Sequence, residues 1–141
     1  TGFSNLEHNT PMAINTPFRV GSITKIFTAV VILRLAEEQK VSLEDLLSIR
    51  LPETIGKIPQ ADKITIRHLL GHLSGIFDPP NEDLQYQADI INDPIKMQQM
   101  SVDDKLKKYV YGEKLRFAPG TDYSYSNTNY WLLGKIAGIR T

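Results

Sequence analysis

From Ser22 to about Gln39 the apolar residues Ile23, Ile26, Phe27, Val30, Val31 and Leu35 recur at steps of three and four. That period places them along one stripe and predicts a helix that buries it. The run opens with Ser22-Ile23-Thr24-Lys25, directly after Phe18-Arg19-Val20-Gly21. Residues three apart on a helix share a face, so the Lys25 amine can reach Ser22 Oγ. A serine hydroxyl is a weak nucleophile until a neighbouring base takes its proton. The unpaired N–H groups and positive potential of a helix start favour an oxyanion and disfavour an ammonium. The position of Lys25 beside Ile23, Ile26 and Phe27 suits partial burial, which favours the neutral amine. Each residue also has a plain reading. Serine is a favoured helix cap, and a lysine stem covers apolar neighbours.

A second constellation strengthens the chemical reading. Tyr125-Ser126-Asn127 lies in the turn-rich stretch from Phe117 to Tyr130, with Pro119-Gly120 marking a turn. A phenol and an amide two residues apart both face one cleft if the backbone is locally extended. Tyr125 as a core aromatic and Asn127 as a helix cap are the plain alternatives. Ser-x-x-Lys followed by a later short motif is a signature of serine acyl transfer.

With both motifs in hand, the chain resembles the serine β-lactamase and penicillin-binding-protein superfamily. Its Tyr-x-Asn is similar to that of the class C β-lactamase, D,D-peptidase and esterase branch. The resemblance covers nearly the whole chain. Gly2-Phe3-Ser4-Asn5 through Pro11 looks like the strand and turn leading toward the nucleophile. Ile64 through Ile76 is similar to the middle helix and its closing turn, with Gly71 and Leu73 where the family usually has threonines. The third motif, a Lys or His, a small residue and Gly on a later strand, is not found. Gly134-Lys135-Ile136-Ala137-Gly138 has one residue too many and a helical pattern.

The resemblance implies an α+β, β-lactamase/transpeptidase-like fold. This chain covers mainly its helical region, with a short β remnant. Residues 1–20 are expected to be sheet remnant and loop, and 21–141 the helical part of one partial catalytic domain. It also implies roles: Ser22 as nucleophile, Lys25 and Tyr125 as the proton-handling groups, and Asn127 as a substrate-binding amide. The substrate is a small molecule or peptidoglycan peptide with an amide, β-lactam or ester carbonyl. No cofactor and no metal are called for. A penicillin-binding acylation sensor without turnover and an inactive structural fragment are the alternatives. The compartment implied is periplasmic, secreted or membrane-anchored. Exposed apolar faces on the Ser22 and Asn127 helices are expected, with self-association or docking of the rest of the domain as the consequence.

Sixteen basic and sixteen acidic side chains cancel. No broad field therefore draws nucleic acid. Lys105, Lys107 and Lys108 follow Asp103 and Asp104 and read as a solvated helix face. With no cysteine there is no disulfide or thiolate metal site. His68 and His72 stand four apart, the spacing of zinc-binding helices, but Leu69 occupies the place where a zinc peptidase needs Glu. Both are read as capping or packing the helix.

The remaining elements follow from punctuation. Ser42 before Leu43-Glu44-Asp45 predicts a capped short helix ending at Leu51-Pro52, then a loop over 52–63. Thr65 is expected to cap a helix to about His72. Residues 75–92, with Asp78-Pro79-Pro80-Asn81, lack a clean period and read as a surface excursion. Ser101-Val102-Asp103-Asp104 resembles a capping box opening a helix to about Tyr111. Ser126 or Asn127 caps the last helix through Ile136.

Overall fold

The computed structural model describes residues 2–138. It opens with an antiparallel hairpin of β1 (Phe3–Asn5) and β2 (Thr10–Pro11), in which Phe3 faces Pro11 and Asn5 faces Thr10. The rest is helical. A 3-10 turn at Gly21–Ile23 leads into α1 (Thr24–Glu37), followed by α2 (Leu47–Arg50), a second 3-10 turn at Pro52–Thr54, and α3 (Ile66–Leu70). Then come α4 (Pro79–Glu82), α5 (Leu84–Asn92), α6 (Pro94–Gln99), α7 (Val102–Tyr109) and α8 (Asn127–Ile136). This mostly helical architecture with a small β remnant matches the expected fold class.

The core sits around α8, which packs against α1, α3, α4 and α7. Ile32, Leu47, Ile64, Ile66, Leu69, Leu106, Leu132 and Leu133 are shut off from solvent. Burial of each such side chain stabilises the fold by about 1.5–3 kcal/mol. Thr65 does cap α3: its Oγ1 accepts from His68 N at 3.2 Å, while His68 Nδ1 accepts from Thr65 N at 3.3 Å. Here His68 takes the part usually played by Glu in a capping box. An antiparallel bridge between Leu46 and Thr65 ties the start of α2 to the start of α3.

Four expectations are corrected. The stripe of α1 is largely solvent-facing: Ile26 is 62% and Phe27 68% exposed, and Val30 is exposed too, whereas Ile32 is fully buried. The burial read from the period is thus corrected, while the exposed apolar face expected on the Ser22 helix is present. Apolar residues surround this helix on several sides, so periodicity alone did not select the face that meets α8. For α8 the expected exposed apolar face is instead core, because Leu132 and Leu133 point into the packed centre. Ser42 does not open a helix. Its N–H donates to Asp45 Oδ2 at 2.6 Å and its Oγ accepts from Glu44 N, closing a turn before α2 begins at Leu47. Residues 75–92 are not a surface excursion, since Ile76, Asp78, Pro79 and Tyr86 are buried and α4 and α5 lie within.

At α7, Ser101 Oγ caps Asp104 N at 3.1 Å, but the Asp104 carboxylate meets the Ser101 hydroxyl rather than its backbone N–H. Asp is one methylene shorter than the Glu that closes a full capping box.

Candidate active site

Gly21, with φ of +57°, turns the chain into the 3-10 turn that carries Ser22. No side chain caps that turn, so Ser22 is not spent as an N-cap. Its Oγ lies 2.7 Å from Tyr125 OH, and Lys25 Nζ donates to it at 3.2 Å. One turn along, at the start of α1, half-buried Lys25 also donates to Asn127 Oδ1 at 2.7 Å. Its Nζ stands 4.9 Å from the centre of the Tyr125 ring and 5.7 Å from that of Tyr130. The four side chains singled out in the sequence thus form one hydrogen-bonded chain, its two long-range contacts joining positions 103 and 102 apart.

Tyr125 is presented by a loop stitched to the turn after α3. Gly120 N donates to Leu73 O at 2.8 Å and Ser124 N to His72 O at 3.0 Å. His72, in the left-handed region at φ +58°, stacks its ring on Tyr125 with centroids 4.6 Å apart. Ser126 N donates to His72 Nδ1 at 3.1 Å, so that nitrogen must carry a lone pair and the proton sits on Nε2. Gly75, at φ +74°, lets the turn pass against the backbone of Phe117, whose oxygen would lie 2.4 Å from an added Cβ.

Asn127 begins α8. Behind it lies Asp78, fully buried, which accepts from Asn127 N at 2.8 Å and from Asn127 Nδ2 at 3.1 and 3.2 Å. Thr128 Oγ1 donates to Phe77 O at 2.8 Å, pinning the same helix start. Sequence reasoning missed Asp78 because an Asp before Pro-Pro reads as a surface turn. It read His72 as capping or packing the helix, without its partner Tyr125.

Burial, then the charge of Lys25, lowers the His72 pKa from its ordinary value, while Asp78 pulls the other way. Burial, and then Tyr125, raises that of Tyr130. A histidine kept neutral by the fold binds its proton more readily in the unfolded chain. Its stabilising contribution is therefore complete above the ordinary imidazole pKa of about 6.5 and is lost as pH falls through the lower folded value. Thermal melts at pH 7.5 and 5 should show a smaller acid loss for His72→Gln than for the parent. An equal loss in both would remove His72 from the acid sensitivity.

The two histidines of His68-Leu69-Leu70-Gly71-His72 serve separate tasks, one capping α3 and one supporting Tyr125. Among the described residues no group of three His, Cys, Asp or Glu converges as metal ligands. Lys135, inside α8, is paired with Glu53 at 2.6 Å and with Asp103. No described helix is long and apolar enough to cross a membrane.

Comparison with known proteins gives the family and the fold. A family model described as Beta-lactamase matches residues 1–141. Protein flp of Staphylococcus aureus (strain MW2) is 29% identical over 136 residues, which are 96% of this chain and 25% of that protein. A D-stereospecific amidohydrolase from Streptomyces sp. superposes with a TM-score of 0.76 at 34% identity, over 86% of this chain and 36% of that one. The penicillin binding protein from Bacillus halodurans gives 0.76 at 31%, over 96% and 40%. The chain spans between a quarter and two fifths of the length of these proteins. On sequence and fold together, the chain belongs to the beta-lactamase family of serine hydrolases.

Proposed function

We propose that this chain carries the nucleophile-bearing part of a serine hydrolase that works through an acyl-enzyme on amide, β-lactam or ester carbonyls. The observation that supports it is the contact chain from Tyr125 OH to Ser22 Oγ to Lys25 Nζ to Asn127 Oδ1. In this reading Ser22 Oγ attacks the carbonyl carbon and forms the Oγ–C bond. Its proton passes to Lys25, directly or through Tyr125. The carbonyl π electrons move to oxygen, held by Ser22 N–H and by a donor from the wider sheet of the fold; one such donor contributes about 3–4 kcal/mol. On collapse the bond to the leaving nitrogen or oxygen breaks and Tyr125 hands that atom a proton. Asn127, at the mouth of the same contact chain, contributes its amide to holding the substrate's acyl side chain. Water, deprotonated by the same groups, then cleaves the acyl ester and restores Ser22.

Lys25 is held against Ser22 Oγ by its contact with Asn127 Oδ1 and lies beside the rings of Tyr125 and Tyr130, within reach of the hydroxyl proton. Relatives named as a D-stereospecific amidohydrolase and a penicillin binding protein point to small amides and β-lactams as substrates at the full length of those relatives. The exposed stripe of α1 is assigned to contact with further polypeptide, a second copy or the remainder of the domain.

The test is to treat the protein, at the full length of its relatives, with a chromogenic ester and a fluorescent penicillin. Turnover supports the hydrolase. Stoichiometric labelling without turnover points to an acylation sensor, and silence with both overturns the acyl-transfer reading.

A further inference from the structure

Asp78 is a carboxylate with no exposed surface, and among the described residues no Lys or Arg forms an ion pair with it. A buried charge of this kind is costly unless hydrogen bonds satisfy it. Its partners are the N–H and side-chain amide of Asn127 and the side-chain amide of Asn81. Pro79 and Pro80 follow directly, and their fixed φ angles limit how far the Asp78 backbone can move.

An ionised carboxylate can only accept hydrogen bonds. Asn127 must therefore turn its NH₂ toward Asp78, which leaves Oδ1 pointing at Lys25. An amide has two nearly isosteric orientations, and a neighbour's donor or acceptor character decides between them. Turned the other way, Asn127 would set an NH₂ against the Lys25 amine and lose the 2.7 Å contact that holds Lys25 beside Ser22.

We propose that Asp78 is a positioning residue that locks the Asn127 amide and, through it, places Lys25 on Ser22. This rests on the hydrolase reading above. The groups facing Lys25 are Ser22, Tyr125, Tyr130 and Asn127, with His72 also feeling its charge. Asp78 supplies negative charge behind this set, one amide away.

The experiment compares kcat, KM and the pH profile of kcat/KM for the full-length protein and three variants. Asp78→Asn frees the Asn127 amide to turn and removes a charge that favours the ammonium. Its kcat should fall about ten- to a hundredfold, the scale of a small misplacement of a catalytic group, with KM within about threefold. The acid limb of its profile should move to lower pH. The double variant Asp78→Asn with Asn127→Asp restores the donor–acceptor match and sets the charge directly against Lys25. Its acid limb should lie at higher pH than that of the parent.

An unchanged kcat and limb in Asp78→Asn overturns the proposal, as does a loss of kcat with the limb in place, which a purely structural role gives. Should Asp78→Asn fail to fold, the double variant decides. A folded double variant with its limb at higher pH supports the proposal; an unfolded one, or one with the parent's limb, overturns it. Ser22→Ala runs beside them. Turnover surviving in Ser22→Ala sinks the hydrolase reading itself. A silent Ser22→Ala with an unaffected Asp78→Asn removes only Asp78.

Discussion

Ser22→Ala is expected to stop ester turnover and penicillin labelling together, lowering turnover by about 10⁴-fold or more. The size follows from chemistry rather than from packing. Without Oγ no covalent intermediate forms, and neither Lys25 nor Tyr125 has a hydroxyl to activate. Stability should hardly change, since Ser22 is exposed and its side chain caps no helix. An Ala variant that melts like the parent and retains a tenth of its turnover would show the nucleophile to be elsewhere. Labelling retained with turnover lost would place the acylated residue elsewhere too.

Gly75→Ala should destabilise the fold by about 3 kcal/mol or more. Two costs add. The backbone sits at φ +74°, where L side chains are strained, and the new Cβ would lie 2.4 Å from Phe117 O and 3.2 Å from Phe117 N. Those are backbone atoms of a segment fixed by Arg116 N donating to Gly75 O at 2.8 Å, so a side-chain rotation cannot relieve the clash. For a chain of this size a loss of 1 kcal/mol lowers the melting temperature by about 2–4 °C. The expected fall is therefore roughly 6–12 °C. Turnover should drop as well, because the displaced segment leads to Pro119 and the loop that presents Tyr125. A melting curve unchanged within about 1 °C would show that the close approach is not rigid.

The catalytic reading was legible to unequal degrees. Ser22 and Lys25 are three apart, so local helical geometry alone brings them to one face. Tyr125 and Asn127 are about a hundred residues away, and only their short motif, taken with the first, nominated them. Asp78 gave no usable signal: a carboxylate before two prolines looks the same in a solvated turn and in a buried support. His72 read as a packing residue without naming what it packs on, since ring stacking has no sequence period. The period of the α1 stripe misled about burial for a related reason, while the exposed apolar face expected of that helix is there. Ile26, Phe27 and Val30 are apolar and regularly spaced, yet it is Ile32 that joins Leu132 and Leu133 of α8 in the buried core.

Residue order settled what depends on near neighbours: the helices α1, α3, α7 and α8, the Thr65 and Ser101 caps, and the hydroxyl and amine one turn apart. The closed turn at 72–78 and the buried carboxylate behind Asn127 come from contacts between segments about fifty positions apart. Those are decided by how α3, α4 and α8 pack, because an amide or a carboxylate takes its orientation from the donors and acceptors that folding brings beside it.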